Sequence, residues 1–224
     1  MPNERRAAKE RREPRETIAI LTLFATQILE ATLADAPDFE TFNAELAAAC
    51  AMLAAEDKAG QAWCREHGYR GYTSYASLDD LPRRASVFGE LKRRLDRHAA
   101  RFARDLAFDL GPRGRLRLDS LWVNVLTAGG AHSGHIHPHS VISGTVFVAA
   151  PPGAGTLRLE APRLPLMMAA PPRRSDAPPS AQSFVTLTPK AGALYMWESW
   201  LRHEVLPGHA KTPRVSLSFN YAWT

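Results

Sequence analysis

The sequence predicts a mainly β domain with helices in its first half and an antiparallel sandwich or barrel in its second. Three observations predict it. Up to about residue 110 the apolar residues recur at helical spacing. From Arg115 onward the period changes to two. The second half is cut into short runs by turns rich in Gly and Pro, as in all-β architectures.

Taken in order, residues 1–16 form a basic arm, Arg5-Arg6 through Arg15, expected to be a mobile, solvated tail. Residues 17–224 are expected to make one domain, helical over 38–110 and β over 115–224. Residues 17–34 mix β-branched residues with alanine and leucine and are read as strand. A helix is predicted over 38–57, behind Asp38 as the cap candidate, with Phe39, Leu46, Met52 and Leu53 at helical spacing. Gly68-Tyr69-Arg70-Gly71-Tyr72 signals a loop. A second helix is predicted over 86–109, where Val87, Phe88, Leu91, Leu95, Phe102, Leu106 and Phe108 make an apolar stripe and arginines solvate the other face.

The predicted strands are Arg115–Thr127, Val141–Ala149, Thr156–Glu160, Phe184–Leu187, Ala193–Trp197, His203–Leu206 and Arg214–Trp223. The Pro-rich stretch 171–179 is a long loop, either a surface insertion or a lid over a barrel mouth. Trp122, Trp197, Trp200 and Trp223 are read as core and rim aromatics.

Bulk composition narrows the function. The net charge is +5, with much of the excess in the N-terminal arm. No aromatic residues interleave with the basic ones there, so a nucleic-acid partner is not expected. The most apolar stretch, Ile18 to Leu29, is interrupted by Thr22, Thr26 and Gln27 and is too short to span a bilayer. No signal peptide is read at the start. A cytoplasmic protein without a membrane partner is the expectation. Cys50 and Cys64 do not form a metal spacing and are read as reduced structural thiols.

The chemistry-bearing feature is a histidine cluster. Four of the eight histidines, His132, His135, His137 and His139, lie in one short run. In an extended segment positions i and i+2 share a face, so His135 and His137 present two imidazoles side by side. A metal site needs a third ligand, and His203, opening a predicted strand, is the best candidate. Neutral imidazole suits iron, zinc, copper and nickel alike. Such ligation is expected to weaken in acid below the free imidazole value of about 6.5. His67, His98 and His209 read as surface residues.

The last strand supplies a second clue. One face carries Arg214, Ser216, Ser218 and Asn220, and the other Val215, Leu217, Phe219 and Tyr221. It is either a sheet edge with its polar face in water or a barrel strand whose polar face lines a cavity. A buried guanidinium beside a hydroxyl is a carboxylate receptor. Asn124 and Asn220 are expected to line the pocket, the alternative being buried amides satisfied by backbone groups.

His-x-His, a distal His and then Arg-x-Ser resembles the Fe(II)/2-oxoglutarate-dependent dioxygenases, and more narrowly a family of bacterial and phage oxygenases. The matching stretches are Leu121-Trp-Val-Asn-Val, His135-Ile-His-Pro-His-Ser-Val-Ile-Ser-Gly-Thr, Trp197-Glu-Ser-Trp-Leu-Arg-His203 and Arg214-Val-Ser-Leu-Ser-Phe-Asn220. Gly68-Tyr-Arg-Gly-Tyr-Thr-Ser-Tyr-Ala-Ser-Leu also looks like that family. The resemblance implies a double-stranded β-helix, or jelly roll, with N-terminal helices packed on one sheet. It implies Fe(II) held by His135, His137 and His203. It also implies 2-oxoglutarate as co-substrate, its distal carboxylate bound by Arg214 with help from Ser216.

Where most of the superfamily has Asp or Glu, this chain has His137. Three neutral ligands leave the iron one unit more positive, which a dianionic co-substrate partly offsets. The implied activity is hydroxylation of a small-molecule or peptide substrate. Two alternatives stand beside it. One is a three-histidine, cupin-like metalloenzyme that does not use 2-oxoglutarate. The other is a non-enzymatic jelly-roll module with a closed structural site, for which His132 or His139 could supply a fourth ligand.

Overall fold

The computed structural model describes residues 18–224, so the basic arm 1–16 lies outside the described residues. In chain order the elements are β1 (Ile28–Thr32), α1 (Phe39–Glu56), α2 (Lys58–Glu66), β2 (Gly71–Thr73), α3 (Leu81–Arg84), α4 (Ser86–Asp105), β3 (Leu116–Leu126), β4 (His132–His135), β5 (Ile142–Ala149), β6 (Leu157–Glu160), β7 (Phe184–Leu187), β8 (Ala193–Glu198), β9 (His203–Val205) and β10 (Arg214–Trp223). Six strands form one sheet, in the order β1-β8-β5-β10-β3-β2. Four form a second, in the order β4-β9-β6-β7. All pairings are antiparallel. This is the two-sheet jelly roll that the resemblance implied.

The larger sheet has two faces of different chemistry. Toward the helices it presents Leu217, Phe219 and Tyr221 of β10 with Leu121, Val123, Val146 and Met196, in one core with the stripes of α1 and α4. Those stripes fall at helical spacing: Phe39, Phe42, Leu46, Ala49, Cys50 and Leu53 on α1, and Val87, Phe88, Leu91, Leu95, Ala99 and Phe102 on α4. The helix face needs one glycine. A Cβ on Gly144 would stand 2.4 Å from the Phe219 ring and 2.5 Å from the Tyr195 carbonyl oxygen. Toward the second sheet lie Phe147, Tyr195 and Trp197, packed with Leu157 and Leu159 of β6. The rest of that inner face is polar, because alternation along β10 and β3 sends Arg214, Ser216, Asn220 and Asn124 into the interior between the sheets.

Several expectations need correction. Asp38 precedes α1 but makes no side-chain cap bond. Its backbone is not in the extended geometry of a cap (φ −96, ψ 8), and its carboxylate accepts from Arg94 of α4 instead. Arg94 also holds Glu90 and lies 4.1 Å over the Phe42 ring, so it ties α1 to α4. Of the stretch read as strand over 17–34, only Ile28–Thr32 is strand among the described residues, where it pairs with Trp197 to Ala193 of β8. The Gly68–Tyr72 loop contains the start of β2, which pairs with β3 as a three-residue edge strand. The helix predicted to reach 109 ends at Asp105. The Pro-rich stretch 171–179 lies in the β6–β7 connection at the outer end of the smaller sheet, with nearly all its side chains exposed. That placement agrees with a surface insertion.

Cys50 and Cys64 are buried and free. Among the described residues, no helix is long and apolar enough to cross a membrane.

Candidate metal centre

Two strands and the segment that follows one of them bring the site together. His135 ends β4 and pairs directly with His203, which opens β9. The register of this pair is irregular between His132 and His135, where Gly134 sits. His137 lies beyond β4, so the two neighbouring histidines do not share one regular strand. Its backbone N–H donates to the Ser199 carbonyl at 3.0 Å, and that bond holds the extended chain against the β8–β9 turn. One side-chain nitrogen from each of His135, His137 and His203 lies within 4.8 Å of the others.

The tautomers suit metal binding at two of the three rings. His135 Nδ1 lies 2.6 Å from the Ser133 carbonyl, and His203 Nδ1 lies 2.8 Å from the Leu201 carbonyl. A carbonyl only accepts, so each Nδ1 carries the proton and each Nε2 keeps its lone pair. His137 Nε2 and His203 Nε2 are 3.2 Å apart. Two nitrogens each about 2.1 Å from one ion and at a right angle would be about 3 Å apart, so the donors fit a shared ion.

The surroundings keep two of the rings, His137 and His203, neutral. Burial pushes His137 down to about 4 and His203 down to about 3, and the neighbouring histidines add to the effect. Trp122 lies against His137 with ring centroids 5.9 Å apart, and Trp197 packs edge-on against His203 at 4.7 Å. Both tryptophans are buried, as a core reading required, while Trp200 and Trp223 are exposed.

His132 and His139 do not join the cluster. His132 Nε2 is 2.7 Å from the Tyr69 hydroxyl and is hydrogen-bonded to it. Burial, with Arg214 adding to it, lowers the His132 pKa to about 4. His139 is exposed, with φ at +70. Among the described residues no fourth protein ligand is brought in, and three protein ligands are the pattern of a catalytic rather than a closed structural site.

Arg214 is 4% exposed. Its Nε and Nη1 have no hydrogen-bond partner, and its Cζ sits 4.8 Å over the Phe147 ring. Burial lowers its pKa to about 10, with Tyr69 opposing. Guanidinium donors are almost never left buried and unpaired, because the desolvation cost is high. Arg214 therefore has the form of a receptor for an anion. Ser216 is buried two residues on along the same strand, opposite Asn124 of β3.

Asn124 and Asn220 are both buried, and side chains rather than backbone groups satisfy them. Asn124 accepts from Thr73 Oγ1 at 2.9 Å and donates to Ser218 Oγ at 3.1 Å. The Tyr69 hydroxyl is 3.4 Å from its Oδ1. Asn220 accepts from Ser143 Oγ at 2.8 Å and reaches Ser120 Oγ and His137 Nδ1. Its site neighbour is thus a histidine ring.

Sequence reasoning missed Tyr69, Thr73, Ser120 and Ser143. Ser120 shares a strand face with Trp122 and Asn124, a signal that period two could have given. Tyr69 enters from a loop that only the β2–β3 pairing places near the site.

Residues 120–220 match a family model described as "Putative 2OG-Fe(II) oxygenase". A comparison with curated proteins by sequence gives no match. Many solved structures share the fold. A prolyl-4-hydroxylase from Pseudomonas putida is 17% identical over 88% of this chain and 92% of its own, with a TM-score of 0.55. The non-heme alpha ketoglutarate dependent epimerase SnoN from nogalamycin biosynthesis is 16% identical over 88% of this chain and 77% of its own, with a TM-score of 0.59. HygX from Streptomyces hygroscopicus, solved with nickel, 2-oxoglutarate and hygromycin B, is 15% identical over 88% and 83%, with a TM-score of 0.55. The matched residues run from β3 into β10 and contain the three clustered histidines, Arg214 and Ser216, and over this stretch the chain is similar to the 2OG-Fe(II) oxygenase family.

Proposed function

We propose that the protein is an Fe(II)- and 2-oxoglutarate-dependent oxygenase that hydroxylates a small-molecule or peptide substrate. His135, His137 and His203 hold the iron through Nε2. Arg214 binds the distal carboxylate of 2-oxoglutarate with its planar fork, and Ser216 adds a hydroxyl beside it. When bound, iron and 2-oxoglutarate would together activate dioxygen, the oxidant, for attack on an unactivated C–H bond.

The chain's own residues do the rest. The Ser133 and Leu201 carbonyls orient two ligand rings. Trp122 and Trp197 wall the histidines with apolar surface, which limits water and strengthens the interactions inside. Asn124, held by Thr73 and Ser218, belongs to the polar wall on the Arg214 side. The expected setting is cytoplasmic, with neither a membrane nor a nucleic acid as partner.

The observation that carries this reading is Arg214, buried with two unpaired guanidinium nitrogens. A three-histidine enzyme without an anionic co-substrate has no use for that cost. Relatives of this fold include an epimerase as well as a hydroxylase, so hydroxylation is the finer part of the proposal. The test is anaerobic titration of the Fe(II)-loaded protein with 2-oxoglutarate, following metal-to-ligand absorption. Saturable binding that needs both metal and Arg214 is expected. Absence of any such binding by the wild-type protein would promote the cupin-like alternative.

A further inference from the structure

Asn220 stands between two hydroxyls and a ring. On β10 it is opposite Ser143 of β5 on one side and Ser120 of β3 on the other, and its side chain is buried. Its Oδ1 accepts from Ser143 Oγ at 2.8 Å. Its Nδ2 donates to Ser120 Oγ at 3.1 Å and faces His137 Nδ1 at 3.4 Å. Ser143 Oγ is in turn 2.7 Å from Ser199 Oγ, and either hydroxyl can donate.

In this orientation an amide N–H meets a ring nitrogen. That nitrogen must be unprotonated, so the His137 proton sits on Nε2. Nε2 then donates to His203 Nε2 at 3.2 Å, which is free to accept because His203 Nδ1 donates to Leu201. Every donor has an acceptor, yet His137 is no ligand, because its lone pair points at Asn220.

The two ends of an amide have nearly the same shape, and turning it over exchanges donor for acceptor. Turned, Oδ1 accepts from His137 Nδ1–H and from the Ser120 hydroxyl. Nδ2 donates to Ser143 Oγ, which passes its own proton to Ser199 Oγ. Each of these contacts again pairs a donor with an acceptor, and His137 Nε2 is free. The ring's proton count is unchanged: it loses a proton at Nε2 and gains one at Nδ1.

We infer that Asn220 is a positioning residue for His137, whose amide selects between a resting tautomer and the ligand-competent one. The inference rests on the three-histidine metal reading. His135 and His203 need no such device, since backbone carbonyls fix their tautomers. Of the three rings, only His137 is paired with a group that can present either sign.

The test uses the full chain labelled with 15N-histidine, wild type and the variants Asn220→Asp and Asn220→Ala, with Zn(II) as the probe metal. A carboxylate only accepts. In the metal-free Asp variant His137 is therefore expected to carry its proton on Nδ1, and in metal-free wild type on Nε2. Zn(II) affinity is expected to fall about tenfold or more in the Ala variant and to hold or rise in the Asp variant, the usual range for loss of a partner behind a ligand. The same His137 tautomer in metal-free wild type and Asp variant, or equal Zn(II) affinity in all three proteins, overturns the inference. If the Ala variant does not fold, the tautomer comparison of Asn with Asp decides it. Wild type failing to bind Zn(II) removes the three-histidine reading itself, and that result appears before any variant is compared.

Discussion

His137 Nε2 and His203 Nε2 lie 3.2 Å apart although they come from opposite ends of the β-rich half. The β4–β9 pairing carries His203 to the end of the histidine run, and the Ser199 carbonyl then holds His137 across from it. Since His132 is taken by Tyr69, ligation should depend on three histidines and not on the fourth. His203→Ala is expected to abolish tight Fe(II) binding. His132→Ala is expected to leave it within a few-fold of wild type. Metal content after anaerobic loading and desalting measures both. Equal loss in the two variants would place His132 in the metal shell.

Acid should affect metal binding and folding at lower pH than free imidazole suggests. His137 and His203 are pushed down to about 4 and about 3 by burial, below the usual 6.5. Both rings are therefore neutral at pH 5, and the sequence-based expectation of steep metal loss below about 6.5 is moved to lower pH. Fe(II) affinity measured from pH 7 to 5 is expected to fall much less than three competing protons would demand.

The metal-free fold responds in the same direction. Between about 6.5 and 4 the unfolded chain takes up protons that the buried rings refuse, so stability is full above that window and is lost as pH falls through it. Each extra proton on the unfolded chain costs about 1.4 kcal/mol per pH unit. Denaturant midpoints of the metal-free protein at pH 7.5 and pH 5 check the sign, and a midpoint that rises in acid would contradict it.

Gly144 is expected to resist substitution although it is not in the site. A methyl group there would meet the Phe219 ring and the Tyr195 carbonyl at distances no real contact adopts. Overpacking of this kind typically costs about 1–3 kcal/mol. Gly144→Ala should lower the denaturation midpoint without changing the denaturant slope, while Fe(II) affinity of the folded fraction is preserved.

What could be read in advance depended on how regular each segment is. β10 alternates strictly, so its polar and apolar faces, and with them Arg214 and Ser216, were visible as a pattern. The strands over 115–224 were bounded by Gly and Pro turns and match the observed elements closely. β4 was not visible, because it is four residues long, holds a glycine and pairs irregularly. Ser143 and Thr145 on β5 are buried, and no local pattern in the sequence marks them as interior. Asp38 had the residue type of a cap, but the pull of Arg94 from a distant helix redirected its carboxylate.

Arg214 offers the test that separates the readings, because function and stability should move in opposite directions there. Its guanidinium is buried with Nε and Nη1 unpaired, an arrangement that costs free energy in the unliganded fold. Replacement by Met keeps a long side chain over Phe147 and removes the charge, so Arg214→Met is expected to leave the melting temperature of the metal-free protein unchanged or raised. The same change removes the fork that binds a carboxylate. A hydrogen bond to a charged group contributes about 1.5–3 kcal/mol, so loss of even one such bond should weaken 2-oxoglutarate binding by about tenfold to a hundredfold. Arg214→Lys should recover only part of that, since a point charge lacks the planar pair of donors. Fe(II) affinity should be nearly unaffected in both variants, because Arg214 is not among the clustered ligands. The measurements are a thermal melt of the metal-free proteins and an anaerobic 2-oxoglutarate titration of the Fe(II)-loaded ones. A Met variant that melts well below wild type yet binds 2-oxoglutarate as tightly would mean that Arg214 is a structural residue, and the carboxylate site would have to be sought elsewhere on the inner face.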